Sequence, residues 1–336
     1  MFSLPEEKRL VLFTVNFIPD EALRNLSQEF PQFDFRKSAS KDEALSLAGK
    51  AEIIVMLGPS RDVISSATNC RWLQVFTAGV EDYLAIDSVK SNKNLLLTNV
   101  SGIHAVPISE HIFALILTLT RGLKTAIMNQ EERRWFGLRE MGRPKIEVLS
   151  DKTMALVGLG SIGLMAAKKA KAFGMKTIGV KRVPAKKPKD PEYSNYVDEI
   201  YGNENLVNIV SRSDVIVNTL PFTAETLGIF NARIFSKAKK GSIFVNVGRG
   251  KTVVEKDLID ALRTSALAGA GLDVFEEEPL SKDSPLWEME NVIVSPHISG
   301  WSAGYFQQGL EIFKENLRRH EKGENLMDLV DKNAGY

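Results

Sequence analysis

The segment Thr153-Met154-Ala155-Leu156-Val157-Gly158-Leu159-Gly160-Ser161-Ile162-Gly163 lies near the middle of a 336-residue chain. Thr153 to Val157 is a short apolar run of strand type, and Gly158 allows the tight turn that must follow it. Gly160, between Leu159 and Ser161, lets backbone approach a pyrophosphate, and Gly163, after Ile162, lets the next helix pack close to the sheet. That helix, read from Ile162 to Phe173, aims its N-terminal amides and positive dipole end at the phosphates. A second apolar strand follows from Lys176 to Val180. A lone GxGxxG is weak evidence, because glycine turns at strand ends are common. The apolar strand before it and the alanine-rich helix after it supply the context that dinucleotide binding needs.

Eighteen residues beyond Gly163, at the end of that second strand, stands Lys181-Arg182. An Asp or Glu there would accept hydrogen bonds from the adenosine ribose 2′-hydroxyl and repel a 2′-phosphate. Two cations invert the sign, and charge-assisted hydrogen bonds to a phosphate are worth roughly 1.5–3 kcal/mol each. NADP(H) is therefore the favoured cofactor, with NAD(H) possible. The competing reading is the start of a solvated basic loop, since Lys186, Lys187 and Lys189 follow within Pro184–Pro191.

On the N-terminal side, short apolar runs recur at Leu10–Val15, Ile53–Leu57, Leu73–Phe76 and Leu95–Thr98, with helix-like stretches such as Asp20–Phe30 and Lys41–Ala48 between them. That alternation predicts a parallel α/β sheet. Ala105 to Leu123 reads as a long apolar helix, and the polar stretch Asn129 to Lys145 as a projecting loop. Downstream, Val215–Asn218, Ser242–Asn246, Ala268–Leu272 and Val292–Val294 repeat the strand pattern, each bounded by Gly, Pro, Asn or Asp. An amphipathic helix from about Ser302 to His320 closes the chain, with Phe306, Leu310, Phe313 and Leu317 on one face. One terminal helix cannot form a domain, so it is expected to pack on the first sheet. The fold class is thus α/β with two Rossmann/flavodoxin-like domains, the cofactor domain (102–298) inserted in a discontinuous substrate domain (1–101 and 299–336).

Composition is that of an ordinary globular chain, 44% apolar and 25% charged. The balance of 43 basic and 42 acidic residues gives no electrostatic argument for nucleic acid or an anionic membrane. A single cysteine, Cys70, excludes an intrachain disulfide and reads as a small buried residue. Four scattered histidines show no metal-ligand spacing, so no metal is expected. Glu6, Glu7, Lys8 and Arg9 precede the first apolar run, unlike a signal peptide, and Ile112–Leu119 reads as too short to span a bilayer. The expected location is cytoplasmic.

Three later segments each place an ionisable side chain at the end of an apolar run, where open α/β sheets put their ligand crevice. They are Asn246-Val247-Gly248-Arg249-Gly250, Gly271-Leu272-Asp273-Val274-Phe275 running to Glu278-Pro279, and Ser295-Pro296-His297. Singly, each has a plain explanation: a turn arginine, an acidic-loop glutamate, a satisfied histidine. Jointly they supply the parts for hydride transfer at a 2-oxo acid. An arginine fork can hold a carboxylate bidentately and polarise the reacting carbonyl. A histidine can give a proton to the carbonyl oxygen and take it back in reverse, and a neighbouring carboxylate favours its protonated form. Arg249, His297 and Glu278 fill those places.

With this ordered set in hand, the chain resembles the D-isomer-specific 2-hydroxyacid dehydrogenase family over nearly its whole length. The resemblance implies a flavodoxin-like substrate domain, a Rossmann cofactor domain and a cleft between them. It implies substrate contacts at Leu57 and at Ala78, Gly79 and Val80 within Thr77–Glu81. Leu220, Pro221 and Thr226, together with Val247, Gly248, Arg249 and His297, would lie along the cofactor, and Asp273 would hold the nicotinamide amide. His111, after Glu110, would be a packing or hydrogen-bonding residue. Trp135 resembles the arm that reaches a partner subunit's site; an interface anchor is the alternative. A homodimer through the cofactor domains is implied as well. At Lys181-Arg182 the chain departs from NAD-using members and resembles NADP-using glyoxylate or hydroxypyruvate reductases. The substrate is then a small 2-oxo or 2-hydroxy acid. A chain ending at Tyr336 is not expected to carry a regulatory domain of the allosteric phosphoglycerate dehydrogenase kind. The alternatives are a cofactor-sensing binding platform of corepressor type, or an NAD-dependent phosphoglycerate, formate or phosphite dehydrogenase.

Overall fold

Parallel strands covered on both faces read as continuous apolar runs, because neither face meets water. The computed structural model describes residues 8–15, 17–135, 146–182 and 195–335 and contains two such sheets. The chain divides into two units, Met1–Ile103 with Ser302–Tyr336, and His104–Trp301. The Lys186, Lys187, Lys189 and Pro184–Pro191 reading, and residues 136–145 of the projecting loop, lie outside the described residues.

In the first unit, β1 (Arg9–Phe13), β2 (Phe33–Lys37), β3 (Ala51–Met56), β4 (Trp72–Val75) and β5 (Leu96–Thr98) form a parallel sheet in the order β2-β1-β3-β4-β5. This is the flavodoxin-like arrangement. Alternation along each strand feeds two cores. Leu12, Ile54 and Leu73 join Tyr83 and Val89 on one face. Val11, Phe13, Ile53 and Val55 join Leu26 and the terminal-helix residues Leu310, Phe313 and Leu317 on the other. That helix, Tyr305–Lys322, therefore packs on the first sheet, with the Phe313 ring edge-on to Phe13 at 5.6 Å.

In the second unit, β6 (Thr153–Val157), β7 (Lys176–Val180), β8 (Glu199–Tyr201), β9 (Val215–Asn218), β10 (Ser242–Asn246), β11 (Leu267–Leu272) and β12 (Val292–Val294) are all parallel, in the order β12-β11-β10-β9-β6-β7-β8. Strand order reverses between β6 and β9, the Rossmann switch point at which ligands bind. The glycine turn, Lys181-Arg182, Leu220-Pro221, Val247–Gly250, Asp273 and Ser295–His297 each follow a strand at this carboxyl edge, and Glu278 lies a few residues beyond it; Trp135 follows no strand.

Ser101–Thr120, a 3-10 turn running into the helix Ala105–Thr120, is long and apolar enough to cross a membrane. This corrects the expectation drawn from Ile112–Leu119 alone, which omitted the first turns. The helix is nonetheless a core element: Ile108, Ile112, Phe113, Leu115 and Ile116 are buried with Met154, Leu156, Val217 and Val245. The helix Ser161–Ala172 covers the same face with Ala166, Ala167 and Ala170, whose small side chains allow close approach. A further helix, Leu123–Glu131, extends into what the polar composition from Asn129 suggested was loop.

Candidate active site

The glycine turn is built from close contacts. Gly158 has φ +102°, a conformation side chains rarely adopt, and a Cβ there would meet Thr219 Oγ1 at 2.8 Å. A Cβ on Gly163 would collide with the Gly158 carbonyl, so the helix Ser161–Ala172 sits directly on the turn. At Gly160 a Cβ would meet nothing within 4 Å. Open space in front of a helix N-terminus is what an entering pyrophosphate requires, so these residues fit the cofactor. Gly163→Ala should push the helix off the turn, lowering the melting temperature and weakening NADPH binding by about tenfold or more, measured by thermal scanning and fluorescence titration.

Lys181 and Arg182 follow β7 and are exposed. The Lys181 amide donates to the Tyr201 carbonyl at 2.9 Å, fixing the start of the segment against β8. Arg182 lies 4.0 Å from Glu225. Beyond β9, Leu220 is buried, and Thr226 accepts from the Thr223 amide while donating to the Pro221 carbonyl at 2.7 Å. The Thr226 hydroxyl thus shapes the Pro221–Thr226 turn.

Arg249, Glu278 and His297 come together from three loops. His297 Nδ1 is 2.7 Å from Glu278 Oε2, while Glu278 Oε1 accepts from the Phe275 amide at 3.0 Å. An ionised carboxylate only accepts, so Nδ1 carries the proton in that bond and Nε2 is left for other partners. The imidazole side chain is 52% exposed, open to an incoming molecule. Its pKa is raised chiefly by the hydrogen bond to Glu278, against opposition from burial and from the Arg249 charge. Burial works to raise the Glu278 carboxyl, but His297, the Phe275 amide and Arg249 together hold it below the usual range. The pair is therefore built to be imidazolium and carboxylate. Arg249 Nη1 donates to the Gly248 carbonyl at 2.8 Å.

His297 itself has φ +54°. Its amide donates to the Asp273 carbonyl at 2.9 Å, and the Asp273 carboxylate receives the next two amides, Ile298 on Oδ1 at 3.0 Å and Ser299 on Oδ2 at 2.9 Å. Ser295 Oγ also donates to Oδ1 at 2.6 Å, leaving it to accept from His111 Nε2 at 2.8 Å. Asp273, fully buried, thus anchors the loop that carries His297, and these hydrogen bonds outweigh burial to keep it ionised. Ser295 and this function of Asp273 were not apparent from sequence; the signal available was a polar residue ending each of two adjacent apolar strands.

In the first unit, the Ala78 carbonyl accepts from Asn99 Nδ2 at 2.8 Å and the Gly79 carbonyl from Thr77 Oγ1 at 2.7 Å, fixing the loop from Thr77 to Val80. Leu57 follows β3 and is half-buried. Trp135 is 97% exposed, and no hydrogen-bond or ring contact fixes its position among the described residues. Cys70 is partly buried and its thiol is pushed up to about 11 by burial, which leaves it unreactive.

A Rossmann sheet carrying a glycine turn at its switch point and an imidazolium–carboxylate pair with an arginine at the same edge defines a nicotinamide-dependent oxidoreductase. Residues 113–299 match the family described as D-isomer specific 2-hydroxyacid dehydrogenase, NAD binding domain. The chain belongs to the D-isomer specific 2-hydroxyacid dehydrogenase family and is an NAD(P)-dependent 2-hydroxyacid dehydrogenase. A family protein from Aeromonas salmonicida subsp. salmonicida is 33% identical, with TM-score 0.83 over 97% of this chain and 100% of that one. An NADPH-dependent glyoxylate/hydroxypyruvate reductase from Sinorhizobium meliloti is 29% identical, with TM-score 0.81 over 98% of this chain and 100% of that one. Glyoxylate/hydroxypyruvate reductase A of Photorhabdus laumondii subsp. laumondii is 27% identical over 94% of this chain and 95% of its own length.

Proposed function

We propose that the protein is an NADP(H)-preferring reductase of small 2-oxo acids of the glyoxylate or hydroxypyruvate kind, with His297 as acid and base. The observation that carries the chemistry is the 2.7 Å His297–Glu278 bond within electrostatic reach of Arg249. Arg249 binds the substrate carboxylate and polarises its carbonyl through the guanidinium fork. His297, held protonated by Glu278, gives the Nε2 proton to the carbonyl oxygen during reduction and recovers it during oxidation. The reduced nicotinamide, when bound, supplies the hydride for the carbonyl carbon. Leu159 to Gly163, Leu220, Pro221, Thr226 and Val247 to Arg249 are assigned to holding that cofactor, and Lys181 and Arg182 to its 2′-phosphate. The S. meliloti relative is in complex with NADP, which supports this choice.

Leu57 and the Ala78–Val80 loop are assigned to substrate recognition in the first unit. A homodimer through the cofactor unit is supported by the uncovered apolar side chains of Leu123, Ile127 and Met128 on one helix, with Trp135 beyond it. The test of the central reading is oxidation of NADPH and of NADH over glyoxylate, hydroxypyruvate, pyruvate and phenylpyruvate. The expected result is turnover of the two smallest substrates, with kcat/KM for NADPH exceeding that for NADH by about tenfold or more. Comparable values for the cofactors would remove the NADP assignment, and no turnover with any of the four would favour a cofactor-sensing binding platform.

A further inference from the structure

Three fully buried polar side chains lie beneath Arg249: Asn218 at the end of β9, Asn246 at the end of β10, and Thr252 just after the arginine. Asn218 Nδ2 donates one hydrogen to Asn246 Oδ1 at 2.9 Å and the other to Thr252 Oγ1 at 2.6 Å. Its Oδ1 accepts from the Leu220 amide at 3.1 Å. Asn246 Oδ1 also accepts from the Gly248 amide at 3.2 Å. Thr252 Oγ1, having accepted from Asn218, spends its own proton on the Arg249 carbonyl at 2.6 Å, where Asn246 Nδ2 also donates at 3.4 Å. Every side-chain polar atom of the three residues is used, and two of them converge on one carbonyl. A Cβ on Gly250 would collide with the Phe275 backbone, so the residue after Arg249 packs directly against that loop.

We propose that Asn218, Asn246 and Thr252 are positioning residues that set the reach of the Arg249 guanidinium toward the substrate carboxylate. The inference rests on the assignment of Arg249 to that carboxylate. A buried polar network that did no more than stabilise could be exchanged for apolar groups of equal shape at little cost. This network instead ties the ends of two neighbouring strands to the carbonyl of one functional residue. A bidentate contact depends on angle as well as distance, and displacement of about 1 Å can cost about 100-fold in rate. Thr252 is the member to test, because its hydroxyl links Asn218 to the Arg249 carbonyl and makes the shorter of the two side-chain bonds to it.

Thr252→Val keeps the branched shape and removes both hydrogen bonds. The expected result is a roughly tenfold rise in KM for glyoxylate, a smaller fall in kcat, and an NADPH dissociation constant within about twofold of the parent. Oxamate, a carboxylate probe that is not turned over, should bind the NADPH-loaded protein about tenfold more weakly by titration calorimetry. Thr252→Ser should restore both quantities to within about threefold. In an Arg249→Lys background, which lacks the fork, Thr252→Val should change kcat/KM by less than about twofold, because coupled residues are non-additive. Thr252→Ala replaces the valine variant if the latter does not fold. Unchanged oxamate affinity in Thr252→Val, or equal losses in both backgrounds, would overturn the positioning proposal alone. Unchanged kinetics in Arg249→Lys by itself would overturn the Arg249 assignment and the proposal with it.

Discussion

His297→Ala lowers kcat for 2-oxo acid reduction by roughly 10²–10⁴-fold, the range for loss of a general acid, while the NADPH dissociation constant stays within about twofold. The split follows from placement. The imidazole stands at the end of β12, away from the glycine turn after β6, so its removal leaves the amides assigned to the phosphates untouched. Its loop is held by Asp273 through backbone amides that the alanine variant retains. Steady-state kinetics together with NADPH fluorescence titration measure the two quantities, and a kcat within tenfold of the parent would remove His297 from the proton-transfer step.

The pH dependence carries the same assignment further. With His297 as the proposed acid, reduction would use its protonated form, so kcat/KM for reduction should be at its plateau below the histidine pKa and fall as pH rises through it. Because Glu278 raises that pKa, the fall comes above the ordinary histidine range. Oxidation would use the neutral ring and should rise over the same interval. Glu278→Gln removes the carboxylate charge, lowers the histidine pKa and moves the reductive limb to lower pH. The linked stability has the same sign: the contribution of His297 is complete below the ordinary histidine pKa and is lost as pH rises through the raised value. That of Glu278, whose pKa is depressed, is present above the ordinary glutamate range and lost as pH falls through the lowered value. A reductive profile that does not move in Glu278→Gln would show that the carboxylate orients the ring without setting its charge.

Buried parallel strands were legible because they lack a wet face. Thr153–Val157, Val215–Asn218, Ser242–Asn246 and Val292–Val294 are continuous apolar runs ended by Gly, Asn or Ser-Pro, and their bounds coincide with β6, β9, β10 and β12. Two of the edge strands, β8 and β2, were not. β8, Glu199-Ile200-Tyr201, is three half-buried residues, and β2, Phe33-Asp34-Phe35-Arg36-Lys37, alternates with charge, so neither offers a run to read. The separate helix Leu123–Glu131 is not legible in the sequence, because its apolar residues Leu123, Ile127 and Met128 are exposed and pack into no core, and its polar ones carry no core signal. At the site, charged residues after strands stood out by type. Asn218 and Thr252 did not, since their meaning depends on β9 lying beside β10, a fact of strand order that no local window contains.

The largest effect expected on cofactor choice comes from Lys181→Asp combined with Arg182→Ala. Two charge-assisted contacts at roughly 1.5–3 kcal/mol each would amount to about 10²–10⁴-fold in the ratio of kcat/KM for NADPH to that for NADH. Both side chains are exposed, with Arg182 53% accessible and within 4.0 Å of Glu225, so screening places the change near the lower bound, about 10²-fold. The aspartate adds an acceptor for the ribose 2′-hydroxyl and repels the phosphate, so NADH should gain while NADPH loses. Salt separates this from a general disturbance of the β7 end. At physiological ionic strength the screening length is about 8 Å, and raising salt tenfold shortens it to about 3 Å. In the parent protein KM for NADPH should therefore climb steeply with salt while KM for NADH stays nearly flat, and in the double variant the difference in slope should vanish. If both cofactors lose equally in the variant, the pair serves the loop and not the phosphate; if only the NADPH slope disappears, the 2′-phosphate is what Lys181 and Arg182 bind.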